Sequence, residues 1–204
     1  MCCAILGKIN KGGGKGSMNR TKLFETERLV LRRFEETDAE NMFNNYCNDS
    51  EVTKYLRWKA HKTVEDTISY VKNFVLPDYN NEFTYRWAIV LKETNEVIGC
   101  IDVVEYDEKK KAVELGWVIG RAHWGKGIMP EAAKAVMKYA FETLNVPSIF
   151  ISHAEPNTQS GRVQEKLGFK VIGRLEAYRN WTDGKPCASI MRKMSKNEWD
   201  AQNN

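Results

Sequence analysis

A glycine-rich turn that leads directly into an amphipathic helix dominates the middle of the sequence, in the segment AHWGKGIMPEAAKAVMKYAF (122–141). Pro130 is tolerated only in the first turn of a helix, where its missing N–H has no intrahelical acceptor to lose, so the helix must begin just after Gly127. One stripe of the helix is apolar, which predicts that this face packs on a sheet. The stripe consists of Ala132, Ala133, Val136, Met137, Ala140, Phe141 and Leu144, and the residues outside it are Glu131, Lys134, Lys138 and Glu142.

Three strand-like segments precede this helix, at 83–92, 96–106 and 112–120, and short polar turns join them. Such spacing favours an antiparallel meander. The other segments that read as strands are 27–34, 148–154, 170–181 and 186–194.

Three further segments have helical periodicity with capping residues at their ends. They are 39–47, capped by Thr37 and Asp38; 63–76, capped by the box Thr63-x-x-Asp66 and ended by Pro77; and 157–169, capped by Asn157 and ended by Gly168. Strands and helices that alternate without a repeat or a long linker predict an α/β (α+β) chain. We expect a single mixed, mostly antiparallel sheet of about seven strands flanked by about four helices.

The positive charge of the chain is confined to its first 20 residues. The 204 residues carry a net charge of +4, and residues 1–20 hold four basic groups and no acid, so the remainder is neutral. A neutral domain does not favour nucleic acid as a partner. Because 1–20 is glycine-rich and lacks periodicity, we expect a flexible basic tail, with Met18 as the natural start, and a domain at 21–204.

Neither a membrane nor a metal is indicated by the residues. The apolar run Cys2–Leu6 is too short for a signal peptide, and no segment has transmembrane length. The five cysteines form no C-x-x-C pair and have no histidine at a ligand spacing, which indicates reduced thiols and no metal site. These features predict a cytoplasmic protein.

The turn at 124–129 can be interpreted in two ways. Glycine lets a ligand approach the main chain without meeting a Cβ, and convergent N–H groups at a helix N-terminus suit a phosphate or pyrophosphate, with Lys126 adding charge from the side. Alternatively, Gly125 and Gly127 only make the turn from a strand to a helix. The neighbouring segments must decide between the two.

Several of those segments, taken in order, resemble the GNAT superfamily of acyl-CoA N-acyltransferases, and within it the RimJ/RimL-like branch. The resemblance covers most of residues 24–194. Its motifs are the opening ETERLVLRRF, the strand VELGW, WGKG with EA shortly after it, EPNTQSGRVQEKLGF, and a late YRNWTDGK.

The resemblance implies that the glycine turn binds the pyrophosphate of acetyl-CoA through its main chain and that the strand before it pairs with the pantetheine arm. Trp124 and Met129 depart from the usual residues of that loop. Asn157 would hold the pantetheine or only cap the next helix. The implied cofactor-binding residues are Trp117, Val118, Ile119, Trp124, Gly125, Lys126, Gly127, Ile128, Met129, Asn157 and Ser160.

A direct transfer of an acetyl group needs a neutral amine and a proton for the departing thiolate. An α-amine with a pKa of ~7.8 loses its proton far more easily than a lysine amine with a pKa of ~10.4, so a carboxylate working through water could suffice. The carboxylates considered are Glu114, Glu176 and Asp102. Because the neighbours of Glu114 are apolar, we expect this group to be partly buried with a raised pKa.

The resemblance points to Glu176 as the base and to Ser160 as the acid. Many members of the superfamily carry a tyrosine acid four residues after that serine, but this chain has Gln164 there. The general acid therefore stays open between Ser160 and an ordered water. His153 could act as a base or be a structural residue.

The acceptor amine is the least constrained part of the prediction. A protein N-terminus such as that of a ribosomal protein, a free amino acid or polyamine, and an amine antibiotic all remain open, as does a homodimer. A second class of function, a non-catalytic acyl-CoA-binding or sensing module, is favoured by Gln164. The residues considered for the acceptor site are Arg57, Trp58, Tyr79, Trp87, Tyr178 and Arg179.

Overall fold

The computed structural model describes residues 21–81, 84–107, 112–180 and 186–203, with the backbone alone described at 105–107 and 177–180. The predicted tail at 1–20 lies outside these ranges. The described chain forms one sheet with helices on both faces. The mixed α/β architecture predicted above is confirmed.

The sheet has eight strands in the order β1-β2-β3-β4-β5-β6-β8-β7. Every neighbouring pair is antiparallel except β5 and β6, which are parallel. The strands are β1 (Phe24–Glu25), β2 (Leu29–Arg32), β3 (Tyr85–Leu91), β4 (Glu96–Asp107), β5 (Ala112–Ile119), β6 (Ser148–Ala154), β7 (Lys170–Asn180) and β8 (Pro186–Ser195). The predicted count of about seven is one too low because β1, with two residues, is too short to show alternation.

The four predicted helices are present, together with a short one and a C-terminal one. They are α1 (Ala39–Met42, continued by a π turn at Phe43–Cys47), α2 (Ser50–Thr53), α3 (Val64–Tyr70, continued by Val71–Val75 and Leu76–Asp78), α4 (Ile128–Lys138, continued by Tyr139–Thr143), α5 (Thr158–Lys166) and α6 (Lys196–Asn203). The C-terminal helix escaped prediction because its segment is polar; Trp199 anchors it by stacking on Phe141, with ring centroids 5.5 Å apart.

Most of the predicted helix ends are confirmed. The Thr63 and Asp66 side chains form the expected capping box, and Asn157 Oδ1 accepts the Ser160 N–H at 3.2 Å. Gly168 follows α5 in the left-handed region, with φ +89°. Each of these ends depends on contacts within a few residues, which is why the sequence reveals them.

Two predicted ends are wrong. Neither Thr37 nor Asp38 caps α1 through its side chain. The Asp38 carboxylate accepts the Glu35 N–H at 2.7 Å, at the start of the 3₁₀ turn that precedes α1, and also pairs with Arg32. Pro77 does not end α3, which runs on to Asp78. The π turn ends at Val75, and Pro77 lies in the first turn of the short segment Leu76–Asp78, where a missing N–H is tolerated.

The core lies on both faces of the sheet. One face packs against α4 and α6, and its buried side chains include Trp87, Met137 and Phe141. The other face packs against α1 and α3. The apolar stripe of α4 is buried as predicted, with Leu144 only partly so. Each large apolar side chain that is fully buried stabilises the fold by about 1.5–3 kcal/mol, so this packing holds α4 against the sheet.

Candidate active site

A gap opens in the sheet between β5 and β6. Their parallel register ends at Leu115↔Ile151, although β5 runs on to Ile119 and β6 to Ala154. Beyond that register β6 stays paired with β8, and β5 with β4. The two central strands therefore diverge and leave a strand-wide opening along the end of β5.

The main chain of β5 presents alternate residues to this gap. Gly120 N–H donates to Ile98 O on β4, so Val118, two residues earlier, also faces β4. Trp117 and Ile119 then direct their main-chain groups toward the gap. An extended ligand could pair with these two residues as an added strand would, whereas the main chain of Val118 is turned away from it.

The glycine turn lies at the mouth of the gap. Gly125 and Gly127 both adopt left-handed backbone conformations, with φ of +74° and +75°. No atom lies within 4 Å of the position that a Cβ would take at Gly125. The first turn of α4 begins at Ile128, and no side chain caps it. The turn therefore offers main-chain N–H groups at the positive end of a helix, in open space.

Side chains around the turn fix its position. Trp124 Nε1 donates to Ile119 O at 2.9 Å, which ties the turn to the end of β5. Arg28 Nη1 donates to Lys126 O at 2.9 Å. The Arg28 guanidinium also pairs with Glu131 on α4 at 2.7 Å. Glu131, expected to lie outside the packed stripe, is thus a structural residue, and no sequence pattern indicated its partner Arg28.

Two side chains of the loop face the core. Ile128 and Met129 are buried, although both border the cleft described below. Their apolar side chains pack in the same cluster as α4. The Met129 departure from the family pattern therefore adds a side chain that packs in the core at the edge of the cleft.

A cleft of about 690 Å³ runs from this turn along β5. Its described lining includes three basic residues, Lys54, Arg162 and Lys166, and a single carboxylate, Glu51. The described wall of the cleft therefore carries a positive charge. Burial, and after it the charge of Lys126, lower the pKa of His123 in the same wall. The Lys126 side chain itself is exposed and is not among the lining residues. The cleft suits an anionic ligand of cofactor size.

A smaller cavity of about 40 Å³ lies within the gap and joins groups from both faces of the sheet. Glu114 shares the face of Val118, which packs against the α1 and α3 side, and its carboxylate accepts the Ser152 hydroxyl at 2.9 Å. Ser160 stands on α5, which packs on the opposite face. Both Glu114 and Ser160 line the cavity. A carboxylate and a hydroxyl therefore meet at the gap from opposite sides.

Glu114 is buried, with 1% of its surface exposed. The prediction that apolar neighbours bury this carboxylate is thus confirmed. Burial in a narrow cavity makes it a candidate proton acceptor, because few other groups can reach the same space.

Glu176 lies elsewhere. It stands on β7, which β8 separates from β6, and its side chain is 75% exposed and pairs with Arg174. It is not among the residues that line the cavities named here. The strand order, which the sequence does not reveal, places two strands, β6 and β8, between β7 and the gap.

Asp102 occupies a third cavity, of about 50 Å³, on the α1 and α3 side. Its carboxylate lies 3.4 Å from Arg86 Nε. Burial raises the pKa of Asp102, and the charge of Arg86 partly offsets this. Leu56, Trp117 and Val118 line both this cavity and the large cleft, so the two are neighbours.

The residues considered for an acceptor site have different environments. Trp58 lines the cavity of Asp102. Trp87 is fully buried in the core, and Tyr79 donates to Arg86 O while accepting the Phe34 N–H, so neither forms a substrate wall. Arg57 is exposed. The side chains of Tyr178 and Arg179 lie outside the described residues.

His153 is joined to Ser160 through Gln164. His153 Nδ1 lies 2.8 Å from Gln164 Oε1, and Gln164 Nε2 donates to Ser160 Oγ at 3.3 Å. His153 and Gln164 are both buried. This network links β6 to α5 and could not be inferred from spacing, because His153 and Gln164 lie on different elements.

Within the described ranges, no helix is long and apolar enough to cross a bilayer. The same ranges contain no cluster of three or more His, Cys, Asp or Glu side chains that could hold a metal ion.

Comparisons with known proteins agree with this geometry. The family model for the acetyltransferase (GNAT) domain matches residues 28–170. "Uncharacterized N-acetyltransferase p20" of Bacillus licheniformis is 35% identical over 156 residues, which are 75% of this chain and 85% of that protein. The spermidine N(1)-acetyltransferase of Escherichia coli (strain K12) is 30% identical over 86 residues, 42% of this chain and 46% of that protein. A GNAT-family acetyltransferase structure from Bacillus anthracis has a TM-score of 0.75 and 27% identity, covering 87% of this chain and 100% of that one.

Proposed function

Because the chain belongs to the acetyltransferase (GNAT) family, we propose that it transfers an acetyl group from acetyl-CoA to a primary amine by direct attack on the thioester. The observation that supports this best is the gap between β5 and β6, where Glu114 and Ser160 face one cavity from opposite sides of the sheet. Direct transfer forms the C–N bond in a tetrahedral adduct and then breaks the C–S bond, so it needs a base near the amine and a hydrogen-bond donor near the sulfur, which these two residues can supply.

The residues of the cleft fit the donor. The main chain of the turn from Gly125 to Met129 would hold the pyrophosphate, with Lys54, Arg162 and Lys166 adding positive charge. Trp117 and Ile119 would pair with the pantetheine arm, and Asn157, which lines the cleft while capping α5, would contact it. The volume of about 690 Å³ lies within the usual range for cofactor sites.

Glu114 and Ser160 divide the proton chemistry. Glu114 accepts a proton from the amine, directly or through a water, and Ser160 donates a hydrogen bond to the departing sulfur. A main-chain N–H of β5 at the gap polarises the thioester carbonyl. The resemblance alone would give the base role to Glu176, but its exposed position on β7 favours Glu114 instead.

The acceptor is a protein N-terminal α-amine or a small-molecule amine. A single carboxylate supports an α-amine, because that group loses its proton about 2.6 pH units below a lysine amine. A polyamine-type acceptor is supported by the E. coli relative, whose name gives spermidine as its substrate. The neighbouring cavity around Asp102 and Trp58 would admit the acceptor. We propose that the enzyme acts in the cytoplasm, as a monomer or a homodimer.

A non-catalytic acyl-CoA-binding module is the second candidate. Gln164 favours it, because an amide has no acidic proton to give to a thiolate. Turnover with any amine would exclude this reading.

Thermal unfolding tests the donor assignment. Acetyl-CoA at 100 times its Kd should stabilise the protein by about 2.7 kcal/mol, and coenzyme A should stabilise it as well. ATP, which lacks the pantetheine arm, should have a much smaller effect. A well-folded protein that acetyl-CoA leaves unchanged would refute the proposed donor.

A further inference from the structure

The hydrogen-bond chain from His153 through Gln164 to Ser160 fixes the direction of each donor. Gln164 Oε1 is a carbonyl oxygen and can only accept, so the His153 nitrogen 2.8 Å away, Nδ1, carries the hydrogen. Gln164 Nε2 is then left to donate to Ser160 Oγ at 3.3 Å. Ser160 Oγ is thus an acceptor toward Gln164, and its own hydrogen must point elsewhere.

The position of Ser160 gives that hydrogen a direction. Ser160 lines both the large cleft and the cavity in the gap, while Gln164, one helical turn further on, is 0% exposed beneath it. Because one lone pair of Ser160 Oγ accepts the hydrogen bond from Gln164, the Ser160 O–H donates toward the cavity in the gap, where the thioester sulfur would lie.

We propose, on the basis of the function given above, that Gln164 is a positioning residue. Held by His153, it turns the Ser160 hydroxyl hydrogen toward the sulfur that leaves with coenzyme A. Gln164 donates no proton to the reaction, because a carboxamide is not an acid. It acts through Ser160, which makes the contact with the departing sulfur.

Gly161 supplies an independent observation. A Cβ at Gly161 would lie 2.9 Å from His153 Nε2 and 3.4 Å from its Cε1, so the imidazole lies directly against the α5 backbone at this residue. Glycine inside a helix is unfavourable relative to alanine. The close approach of His153 accounts for a glycine here, and it couples β6 to α5 beside Ser160.

A purely structural role for Gln164 predicts a different outcome from a positioning role. If Gln164 only satisfies buried polar groups, its substitution lowers the stability of the fold. The kcat of the reaction that Ser160 assists then stays unchanged. If it orients Ser160, its substitution lowers kcat without changing the KM for acetyl-CoA, and only while Ser160 is present.

The experiment measures kcat and KM for acetyl-CoA in Gln164→Met and Gln164→Glu, each alone and combined with Ser160→Ala. Methionine has a similar length and leaves the Ser160 hydroxyl free to rotate, so kcat should fall about twofold to tenfold, the range that one lost hydrogen bond allows. Glutamate should lower kcat more than methionine does, because a carboxylate oxygen accepts the Ser160 hydrogen and draws it away from the gap. In the Ser160→Ala background, neither change should lower kcat further.

Gly161→Ala is a second route to the same test, because it displaces His153 without altering Gln164 or Ser160. Its kcat should fall while Ser160 is present and stay unchanged in the Ser160→Ala background. Circular dichroism and the acetyl-CoA Kd verify that each variant folds and binds.

Three results overturn the proposal. One is kcat equal to wild type in both Gln164 variants of a folded enzyme. Another is a loss of kcat that persists in full in the Ser160→Ala background. A wild-type protein without any turnover of acetyl-CoA refutes the proposed function and this proposal with it, and is recognised because the loss precedes any substitution.

Discussion

Substituting Gly125 by asparagine and, separately, by aspartate tests whether the glycine turn holds a pyrophosphate. Gly125 has φ +74°, a conformation that asparagine and aspartate tolerate better than other side chains. No atom lies within 4 Å of the added Cβ, so neither change should cause a clash. The two variants have nearly the same shape and differ by one negative charge.

The difference in affinity follows from that charge. Two unit charges ~4 Å apart repel by about 1 kcal/mol in bulk water and by about 4 kcal/mol at an effective dielectric of 20. The turn borders an open cleft, so a value of about 2 kcal/mol is reasonable, which corresponds to about a 30-fold weaker Kd for the aspartate variant than for the asparagine variant. The difference in Kd between the two variants should become smaller as ionic strength rises.

Isothermal titration calorimetry at low and high salt measures the effect, with acetyl-CoA as one ligand and acetyl-pantetheine, which has no pyrophosphate, as the other. Acetyl-pantetheine should bind both variants equally. The assignment of the turn is refuted if acetyl-CoA binds the two variants with the same affinity at low salt, or if acetyl-pantetheine discriminates between them as strongly as acetyl-CoA does.

Two further predictions concern the base and the C-terminal helix. Glu114→Gln keeps an acceptor for the Ser152 hydroxyl but removes the base, so kcat should fall about 10²- to 10⁴-fold while the affinity for acetyl-CoA is retained. Glu176→Gln changes an exposed side chain on β7 and should leave kcat near wild type. The reverse pattern would assign the base to Glu176. Hydrogen bonds from Lys170 and from Ser195 lower the pKa of Glu198 to about 2. The stability that the Glu198 carboxylate contributes is therefore present above its usual pKa and lost as pH falls toward 2. Glu198→Gln should lower the free energy of unfolding, measured in urea, by about 1 kcal/mol at pH 7 and by nearly nothing near pH 2. A cost that does not change with pH would contradict this.

The parts of the fold that local chemistry determines could be predicted from the sequence. Pro130 and Gly127 define the start of α4, Asn157 defines the start of α5, and apolar neighbours bury Glu114. Each of these signals involves residues within one or two turns of each other, where sterics and capping act without help from the rest of the chain.

Long-range contacts account for what the sequence did not reveal. Which strand stands beside β6 decides that β6 and β8 lie between Glu176 and the gap, and strand order depends on packing across the whole sheet. The bond from Arg28 to Lys126 joins residues 98 positions apart, and His153 meets Gln164 across two elements. Gln164 was visible only as a departure from a pattern, and its partners appear once α5 is packed on the sheet.

The most direct test of the account is amine-dependent release of the coenzyme A thiol from acetyl-CoA, with mass spectrometry of the acceptor. The panel should contain peptides with free α-amines, the same peptides with blocked N-termini, and polyamines, each with wild type and Glu114→Gln. The account predicts that at least one free amine accelerates thiol release and gains one acetyl group with the wild-type protein, and that Glu114→Gln binds acetyl-CoA but loses this activity. Binding of acetyl-CoA without release stimulated by any amine of the panel would contradict the account and identify a non-catalytic acyl-CoA-binding module.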